Sequence, residues 1–381
     1  MSDEIAGIRN KIDKIDDDLA RLFAERLSLV GEIAHKKKEQ KLPALNTARE
    51  REVITRLTEG KPDDIAGYTK TLYTTIFDLS RSHQAKTLSA SPKVAAEIRS
   101  ALENTPQLFP KSAVVACQGT EGANSTTACE RLFERPSIMY FNTFEGVFGA
   151  VDKGLCRYGI LPIENSLHGS VTDIYDLMNK YRFSIVQSVK LQINHVLLAK
   201  PGAKITGIRK IYSHEQALGQ CSEFLKGTNI AIEACENTAL AAKMISESDA
   251  TDTAAISSVQ CAELYNLAVL SESIQNSDNN YTRFICISKQ LEIYPGARKI
   301  SLMTTVSHRP GSLYQLIAKF AALGINMTKL ESRVMPNKDF EAMFYFDFDL
   351  SVHDNDAIFN LFSQLEGGAD KFVFLGCYPE A

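Results

Sequence analysis

The sequence predicts a three-part chain: an all-α segment, then an α/β domain, then a smaller α+β domain. Three observations predict it. Apolar residues alternate by three and four through the first forty positions. From Ser112 onward short apolar runs alternate with amphipathic helical segments. After Tyr294–Pro295–Gly296 the elements follow the order strand, helix, strand, strand, helix, strand. A length of 381 residues suits two or three such domains.

Composition narrows the function classes. A net charge of -4, with no basic face or aromatic-interleaved basic run, predicts no nucleic-acid partner. The block His35 to Lys38 is too short to change that. The acidic, polar N-terminus does not read as a signal peptide, and no apolar run reaches membrane-spanning length. The eight cysteines are scattered without a CxxC, and the seven histidines lack metal-ligand spacing. Free thiols in a reducing cytoplasm are expected, with no metal and no cofactor.

The first element is one long amphipathic helix with a seam of Ile5, Ile8, Ile12, Ile15, Leu19, Leu22, Leu29 and Ile33. Arg26 stands where the next apolar residue belongs. A guanidinium there is costly unless an anion meets it, whether a ligand or a buried Glu; a local break in the helix would also explain it. Lys37 lies eleven residues on, in nearly the same direction, and Arg9 is one step off the seam. Pro43 ends the helix. Asn46 or Thr47 can cap a shorter helix carrying Arg49 and Glu50. After the loop Lys61–Pro62–Asp63, a third helix is predicted from about Asp64 to Leu88. Ile65, Leu72, Ile76 and Leu79 point inward, and Ser80 and Gln84 share a face.

These intervals resemble the all-helical class of chorismate mutase, over residues 1–88. The resemblance implies two intertwined chains, each lending one arginine, matched by Arg9, to the other's site. It assigns Arg26 and Arg49 to the substrate carboxylates and Lys37 and Gln84 to the ether oxygen of the breaking bond. Glu50 matches the acceptor for the substrate hydroxyl, and Ser80 a further carboxylate contact. Asn46 stands where the family often has aspartate; an amide still hydrogen-bonds chorismate, so activity is expected. Rearrangement of chorismate to prephenate needs no acid, base or nucleophile, only a compact conformer and charge placed where it develops.

Residues 89–110, with Pro92, Pro106 and Pro110, read as a linker with one helix over Val94–Leu102. From 111 to 290 strands are predicted at Ala113–Cys117, Ile138–Phe141, Tyr158–Ile163, Lys210–Tyr212, Ile230–Ala234, Ala254–Ile256 and Phe284–Ser288. Phe183–Leu198 is one apolar, β-rich stretch, and helices are expected at Glu215–Leu225 and Ala239–Ser246. A mostly parallel sheet, or two, with helices on both faces is the expectation.

The domain is organised around Gly159 to Val171. The apolar run Ile160–Ile163 turns polar at Glu164, Asn165, Ser166 and His168. Ser170 or Thr172 can then cap a helix whose inner face is Val171, Ile174, Leu177 and Met178. Open α/β sheets bind ligands at such strand ends, although an ordinary strand-to-helix loop reads the same way. Two more polar clusters recur: Tyr212–Ser213–His214–Glu215–Gln216 with Gln220, and Asp278 to Phe284. The turn with Gly119, Gly122 and Ser125 offers backbone N–H groups to an anion but is not a dinucleotide fingerprint.

PIENS followed by HGSV, YSHEQ with Gln220, and YTRF, in this order and spacing, resemble prephenate dehydratase across about residues 111–289. The resemblance implies two α/β subdomains with a cleft between, like type II periplasmic binding proteins. It also implies loss of water and carbon dioxide from prephenate to leave phenylpyruvate. Thr282 matches the residue that assists departure of the ring hydroxyl. Asn165, Ser213 and Gln220 match polar groups lining the cleft, and Ser125 with the amides near Gly122 can hold a carboxylate. Arg283 can counter the substrate's charge, or point away as the strand neighbour of Thr282. Glu164 orients the site or is structural.

Beyond the break, strands Lys299–Val306, Asn326–Val334, Ala342–Leu350 and Lys371–Leu375 and helices Leu313–Leu323 and Asn355–Gln364 give βαββαβ, a ferredoxin-like order over 298–378. Gly311–Ser312–Leu313–Tyr314 and Glu331–Ser332–Arg333–Val334 resemble the GALV and ESRP motifs of the ACT domain in this enzyme family. The resemblance implies L-phenylalanine as allosteric effector, held between two ACT domains by Gly311, Ser312, Leu313, Asn326, Glu331, Ser332 and Arg333. The whole chain thus resembles the bifunctional chorismate mutase/prephenate dehydratases, as a homodimer or higher homo-oligomer. Two competing readings are a non-catalytic aromatic amino-acid sensor and a dehydratase whose helical domain only dimerises. Thr282, Asn165 and Gln220 together argue against the first; Arg26, Lys37, Glu50 and Gln84 argue against the second.

Overall fold

A computed structural model describes residues 2–40, 42, 46–88, 93–306, 311–322, 324–334, 342–350, 362, 365 and 371–381. The helical segment contains α1 (Ser2–Glu39), α2 (Thr47–Thr58) and α3 (Asp63–Leu88). Asn46 is the cap of α2, its side-chain oxygen accepting from the Arg49 amide at 3.1 Å. At 1.5 Å per residue α1 is about 57 Å long. Its second half packs on α3 through Val30, Ala34 and Phe77, while residues 4–20 are exposed. The seam from Ile5 to Ile33 is therefore not buried within one chain: its eight residues stay 49–59% exposed. Ile65 and Leu72, predicted inward, are exposed as well.

The predicted linker is more than a tether. Its helix, α4 (Lys93–Asn104), buries Ile98 and Ala101 in the core of the C-terminal sheet.

The α/β region runs β1 (Val114–Gln118), α5 (Asn124–Leu132), β2 (Ser137–Phe141), α6 (Phe144–Asp152), β3 (Tyr158–Asn165), β4 (Gly169–Ser170), α7 (Thr172–Tyr181) and β5 (Ser184–Gln192). A second lobe holds β6 (Val196–Ala199), β7 (Lys210–His214), α8 (Glu215–Gln220), α9 (Ser222–Lys226), β8 (Ala231–Cys235), α10 (Thr238–Glu247), β9 (Thr253–Ser257), α11 (Gln260–Leu264) and β10 (Ala268–Ser271). The chain then returns to the first lobe as β11 (Tyr281–Ser288).

The sheets have orders β2-β1-β3-β11-β5, with β4 on β3, and β10-β6-β9-β7-β8. Both are mixed, not mostly parallel. The chain crosses between lobes twice, so β11 re-enters antiparallel to β3 and β5, and β6 lies antiparallel to β9 and β10. The crossing also splits the stretch Phe183–Leu198 into β5 and β6. The helix expected at Glu215–Leu225 breaks at Cys221 into α8 and α9. The cap expected from Ser170 or Thr172 is absent. Val171 precedes α7 without a side-chain cap, and the Ser170 hydroxyl donates to Glu331 at 2.6 Å.

The C-terminal module has β12 (Lys299–Thr305), α12 (Ser312–Ala322), β13 (Asn326–Val334), β14 (Ala342–Asp349) and β15 (Phe372–Tyr378), in the antiparallel order β13-β14-β12-β15. The helix expected at Asn355–Gln364 lies outside the described residues except for Phe362, which is buried in this core. β15 lies against β5, where residues 379–381 continue the pairing through Ser188. All eight cysteines are free thiols. Among the described residues no helix is long and apolar enough to cross a membrane.

Candidate active sites

The first site lies between the two α/β lobes, and the pairing of β3 with β11 builds it. β11 begins at Tyr281, three residues earlier than expected, and β3 runs on to Asn165. Thr282 therefore sits opposite Asn165, and Arg283 opposite Glu164. Successive residues on a strand face opposite ways. Thr282 and Asn165 line a cavity of about 330 Å³ with Ser125 and Phe284 of the first lobe and Gln220 and Thr238 of the second. Arg283 and Glu164 face away from it.

A chain of hydrogen bonds spans the cavity floor. The Asn165 amide donates to Thr282 Oγ1 at 2.9 Å and to Asn280 Oδ1 at 2.8 Å. Asn165 Oδ1 accepts the backbone N–H groups of Leu167 and His168, each at 3.0 Å, which fixes the flip of the amide. Asn280 donates to Gln220 Oε1 at 3.1 Å, and the same oxygen meets His195 Nε2 at 2.7 Å. Burial lowers the pKa of His195, against the hydrogen bond to Gln220, so the ring is held neutral. With Asn165 donating to its oxygen, the Thr282 hydroxyl hydrogen is free to point at a ligand.

Among the described residues no lysine or arginine lines this cavity, and Glu236 at its exposed rim is the one carboxylate there. The positive ends of α5 and α10 supply what a carboxylate needs: Asn124 and Ser125 open α5, and Asn237 caps α10. Ser125 donates to the Gln118 carbonyl at 2.5 Å and remains on the cavity wall. Ser213 does not reach the wall, since its buried hydroxyl donates to the Ile256 carbonyl at 2.6 Å. Asn280 and His195 were not singled out from the sequence. Asn280 lies inside the polar run before YTRF, and His195 is the one histidine in the apolar, β-rich stretch from Phe183 to Leu198, beside Asn194, so both left a faint signal.

Arg283 and Glu164, which the sequence left open between substrate contact and a framework role, meet the C-terminal sheet and not the cavity. Arg283 pairs with Glu164 at 2.5 Å and with Asp347 of β14, and Lys329 of β13 also pairs with Glu164. Burial opposes ionisation of Glu164, but Arg283 and Lys329 outweigh it and hold the carboxyl below the ordinary range. Glu331 accepts from Ser170, and Arg333 pairs with Asp176 at 2.7 Å. Thus Lys329, Glu331 and Arg333, alternate residues of β13, face the dehydratase-like lobe. Ser332 lies exposed on the other face, whereas the register shift between Met327 and Lys329 puts exposed Asn326, opposite Asp349, on the same face as Lys329; Gly311 (φ 84°) leads Ser312 and Leu313 into α12.

The second site lies between α1, α2 and α3. Arg26 donates to Ser80 and sits over the Phe77 ring at 5.6 Å, so an anion is not its only partner. Ser80 donates to the Ile76 carbonyl at 2.6 Å. Glu50 pairs with Arg81, which also holds Asp78. Burial lowers the pKa of Lys37, with Glu50 acting against it, and that of Arg26, with Tyr73 and Glu50 acting against it. Gln84 is buried one turn beyond Ser80, with its Oε1 unpartnered. Arg49 turns outward to Glu52 at 2.7 Å. Arg9 is 17 residues from Arg26 on one helix, or about 25 Å, and is not brought to this cluster within the chain.

Residues 115–292 match a family model described as prephenate dehydratase, and residues 8–85 one described as chorismate mutase type II. The chain is 36% identical over 277 residues to an Arabidopsis thaliana protein named arogenate dehydratase/prephenate dehydratase 2, chloroplastic, covering 70% of this chain and 72% of that one. It is 28% identical over 386 residues to the Escherichia coli K12 protein named bifunctional chorismate mutase/prephenate dehydratase, covering 98% and 96%. Two solved structures match 70% of the chain with a TM-score of 0.64. One is a prephenate dehydratase in complex with L-Phe from Arthrobacter aurescens, 26% identical and 89% covered; the other, described as a quorum quenching acylase, is 28% identical and 98% covered.

Proposed function

Because the chain belongs to the prephenate dehydratase family and carries a chorismate mutase domain ahead of it, we propose that it converts chorismate to prephenate and prephenate to phenylpyruvate. The observation that carries the second step is the Thr282–Asn165–Asn280–Gln220–His195 network on the cavity floor. It leaves the Thr282 hydroxyl, whose oxygen already accepts from Asn165, able to donate into the cavity.

In the dehydratase step the ring carboxylate leaves as carbon dioxide. Its bonding electrons enter the ring, and the ring hydroxyl departs with a proton as water. Thr282 passes a proton to that hydroxyl as it leaves and is reprotonated by solvent, so one proton is consumed for each water released. Phe144, Pro162, Ile193 and Phe284 make the wall apolar, which strips water from the ring carboxylate. The starts of α5 and α10 hold the side-chain carboxylate by backbone N–H groups. Aromatisation supplies the driving force, so modest proton assistance suffices. L-Arogenate, named among the relatives, differs from prephenate by an ammonium in place of the keto group and is the second substrate to test.

In the mutase step Arg26 holds a substrate carboxylate, Lys37 and Gln84 donate to the ether oxygen as charge develops there, and Glu50 accepts from the hydroxyl. The distance of Arg9 and the exposed seam support a second copy that lends its own Arg9 and covers the seam. The antiparallel order of the C-terminal sheet supports a ferredoxin-like ACT module. Ser332 on β13 and Gly311 ahead of α12, both exposed, support L-phenylalanine bound between two such modules, with feedback on catalysis. The free thiols suit a reducing cytoplasm.

The test is phenylpyruvate formation by the purified chain from chorismate, prephenate and L-arogenate (as phenylalanine), with and without L-phenylalanine. Turnover of chorismate and prephenate, suppressed by phenylalanine, is expected. A protein that binds phenylalanine but turns over neither is a sensor, and this reading fails.

A further inference from the structure

The charges behind the cavity take no part in the chemistry above, yet Arg283 and Asp347 form the most enclosed ion pair among the described residues. Asp347 is 1% exposed and Arg283 3%. A buried ion pair is weak evidence for stability, because apolar residues of similar volume commonly serve as well. What this pair has is position. Arg283 directly follows Thr282, Glu164 directly precedes Asn165, and the two pairs lie opposite each other across β3 and β11. The ladder shifts register between Arg283 and Phe284, so backbone pairing alone does not set the course of the strand there. Arg283 reaches Glu164 across the ladder at 2.5 Å and Asp347 on β14; Lys329 meets the other Glu164 oxygen. Asp347 is itself held by Ser301 at 2.5 Å, and Ser301 by the hydroxyls of Tyr378 and Tyr345. The C-terminal sheet thus grips both catalytic strands from behind, one residue away from the reacting hydroxyl and its partner amide.

We propose that Arg283 and Glu164 are positioning residues for the dehydration, acting through Thr282 and Asn165, and that Asp347 and Lys329 of the C-terminal sheet set them in place. The proposal rests on the dehydratase reading given above. Thr282 must meet the leaving hydroxyl within hydrogen-bond reach, and a misplacement of about 1 Å costs on the order of 10²-fold in rate.

The test uses the full chain and separates kcat from KM for prephenate, with the mutase rate on chorismate as a measure of folding elsewhere. Asp347→Asn keeps the shape and removes the charge. Its kcat should fall about tenfold or more, with KM within about twofold and the mutase rate unchanged. Arg283→Met combined with Asp347→Leu removes both charges and so separates positioning from the cost of an orphaned charge. That variant should fold and keep the low kcat. An unchanged kcat in Asp347→Asn, or a kcat restored in the double variant, would overturn the proposal. If Asp347→Asn does not fold, Lys329→Met, which leaves Arg283 paired with both carboxylates, should lower kcat in the same way; an unaltered kcat there also overturns it. A wild-type chain that makes prephenate but no phenylpyruvate overturns the dehydratase reading, and this proposal with it.

Discussion

The Thr282 oxygen is committed to Asn165, which leaves its hydroxyl hydrogen for the leaving group in the proposed dehydration. Asn165 is in turn locked by two backbone N–H groups. Thr282→Ala should lower phenylpyruvate formation about 10²- to 10⁴-fold, the usual share of one proton-transfer group. The chorismate reaction, read by loss of chorismate absorbance, should stay unchanged, because its residues lie on α1 to α3. Glu164 behaves differently, since its role is electrostatic and behind the site. Its folded pKa is depressed, so its contribution to stability is present above the unfolded value of about 4.3 and is lost as pH falls through the folded value. Thermal melts of wild type and Glu164→Gln should therefore differ at neutral pH and draw together as pH falls below the unfolded value of about 4.3. A gap that stays constant into acid would mean that Glu164 is not ionised by Arg283 and Lys329 in the fold.

Among the elements, β3 is the one on which the cleft depends. It carries Asn165 at its end and Gly159 near its start, where a β-carbon would lie 2.8 Å from Val147 Cγ1 and 3.1 Å from Ile287 Cγ1. Gly159→Ala should cost about 1–3 kcal/mol through overpacking, measured by urea unfolding. Gly376 makes a second close approach: it has φ 149°, and a side chain there would strike the Ile185 carbonyl where β15 crosses β5. That approach lets the C-terminal sheet sit close behind the cleft. Helix α2 depends on a single cap. Asn46→Ala should destabilise the helical segment by about 1 kcal/mol, whereas Asn46→Asp should keep the cap. Asn46 is thus legible as a cap from local sequence, whatever it contributes to substrate binding.

At the scale of the molecule, the exposed seam of α1 is the feature that one chain cannot satisfy. Eight large apolar residues on one stripe of a helix about 57 Å long amount to a surface that water disfavours. A second copy would cover the stripe and bring its Arg9 to the Arg26 cluster. Ile8→Asp with Ile15→Asp should therefore yield smaller particles in sedimentation. Mutase activity should be lost, while dehydratase turnover per chain stays within about threefold, since that cavity lies wholly within one chain. Mutase activity that persists in the smaller species would show that Arg9 is not supplied by a partner.

Local pattern by itself determined the three-part order, the long helix, the Asn46 cap and the polar strand ends that carry Thr282, Asn165 and Gln220. Each depends on periodicity or on neighbours a few residues apart. The direction of a side chain on a strand depends on register, and register is set by distant pairing. The sequence therefore left Arg283 and Glu164 open between cleft and framework, and placed Ser213 on a wall it does not reach. The mixed sheets were hidden for the same reason, because nothing local records that β11 returns to a lobe left ninety residues earlier. His195 joined the site on the outward crossing and Asn280 on that return, and the linker helix became core only against a sheet formed two hundred residues later. The sequence determined which chemistry is present; tertiary pairing alone decided which side of each strand that chemistry faces.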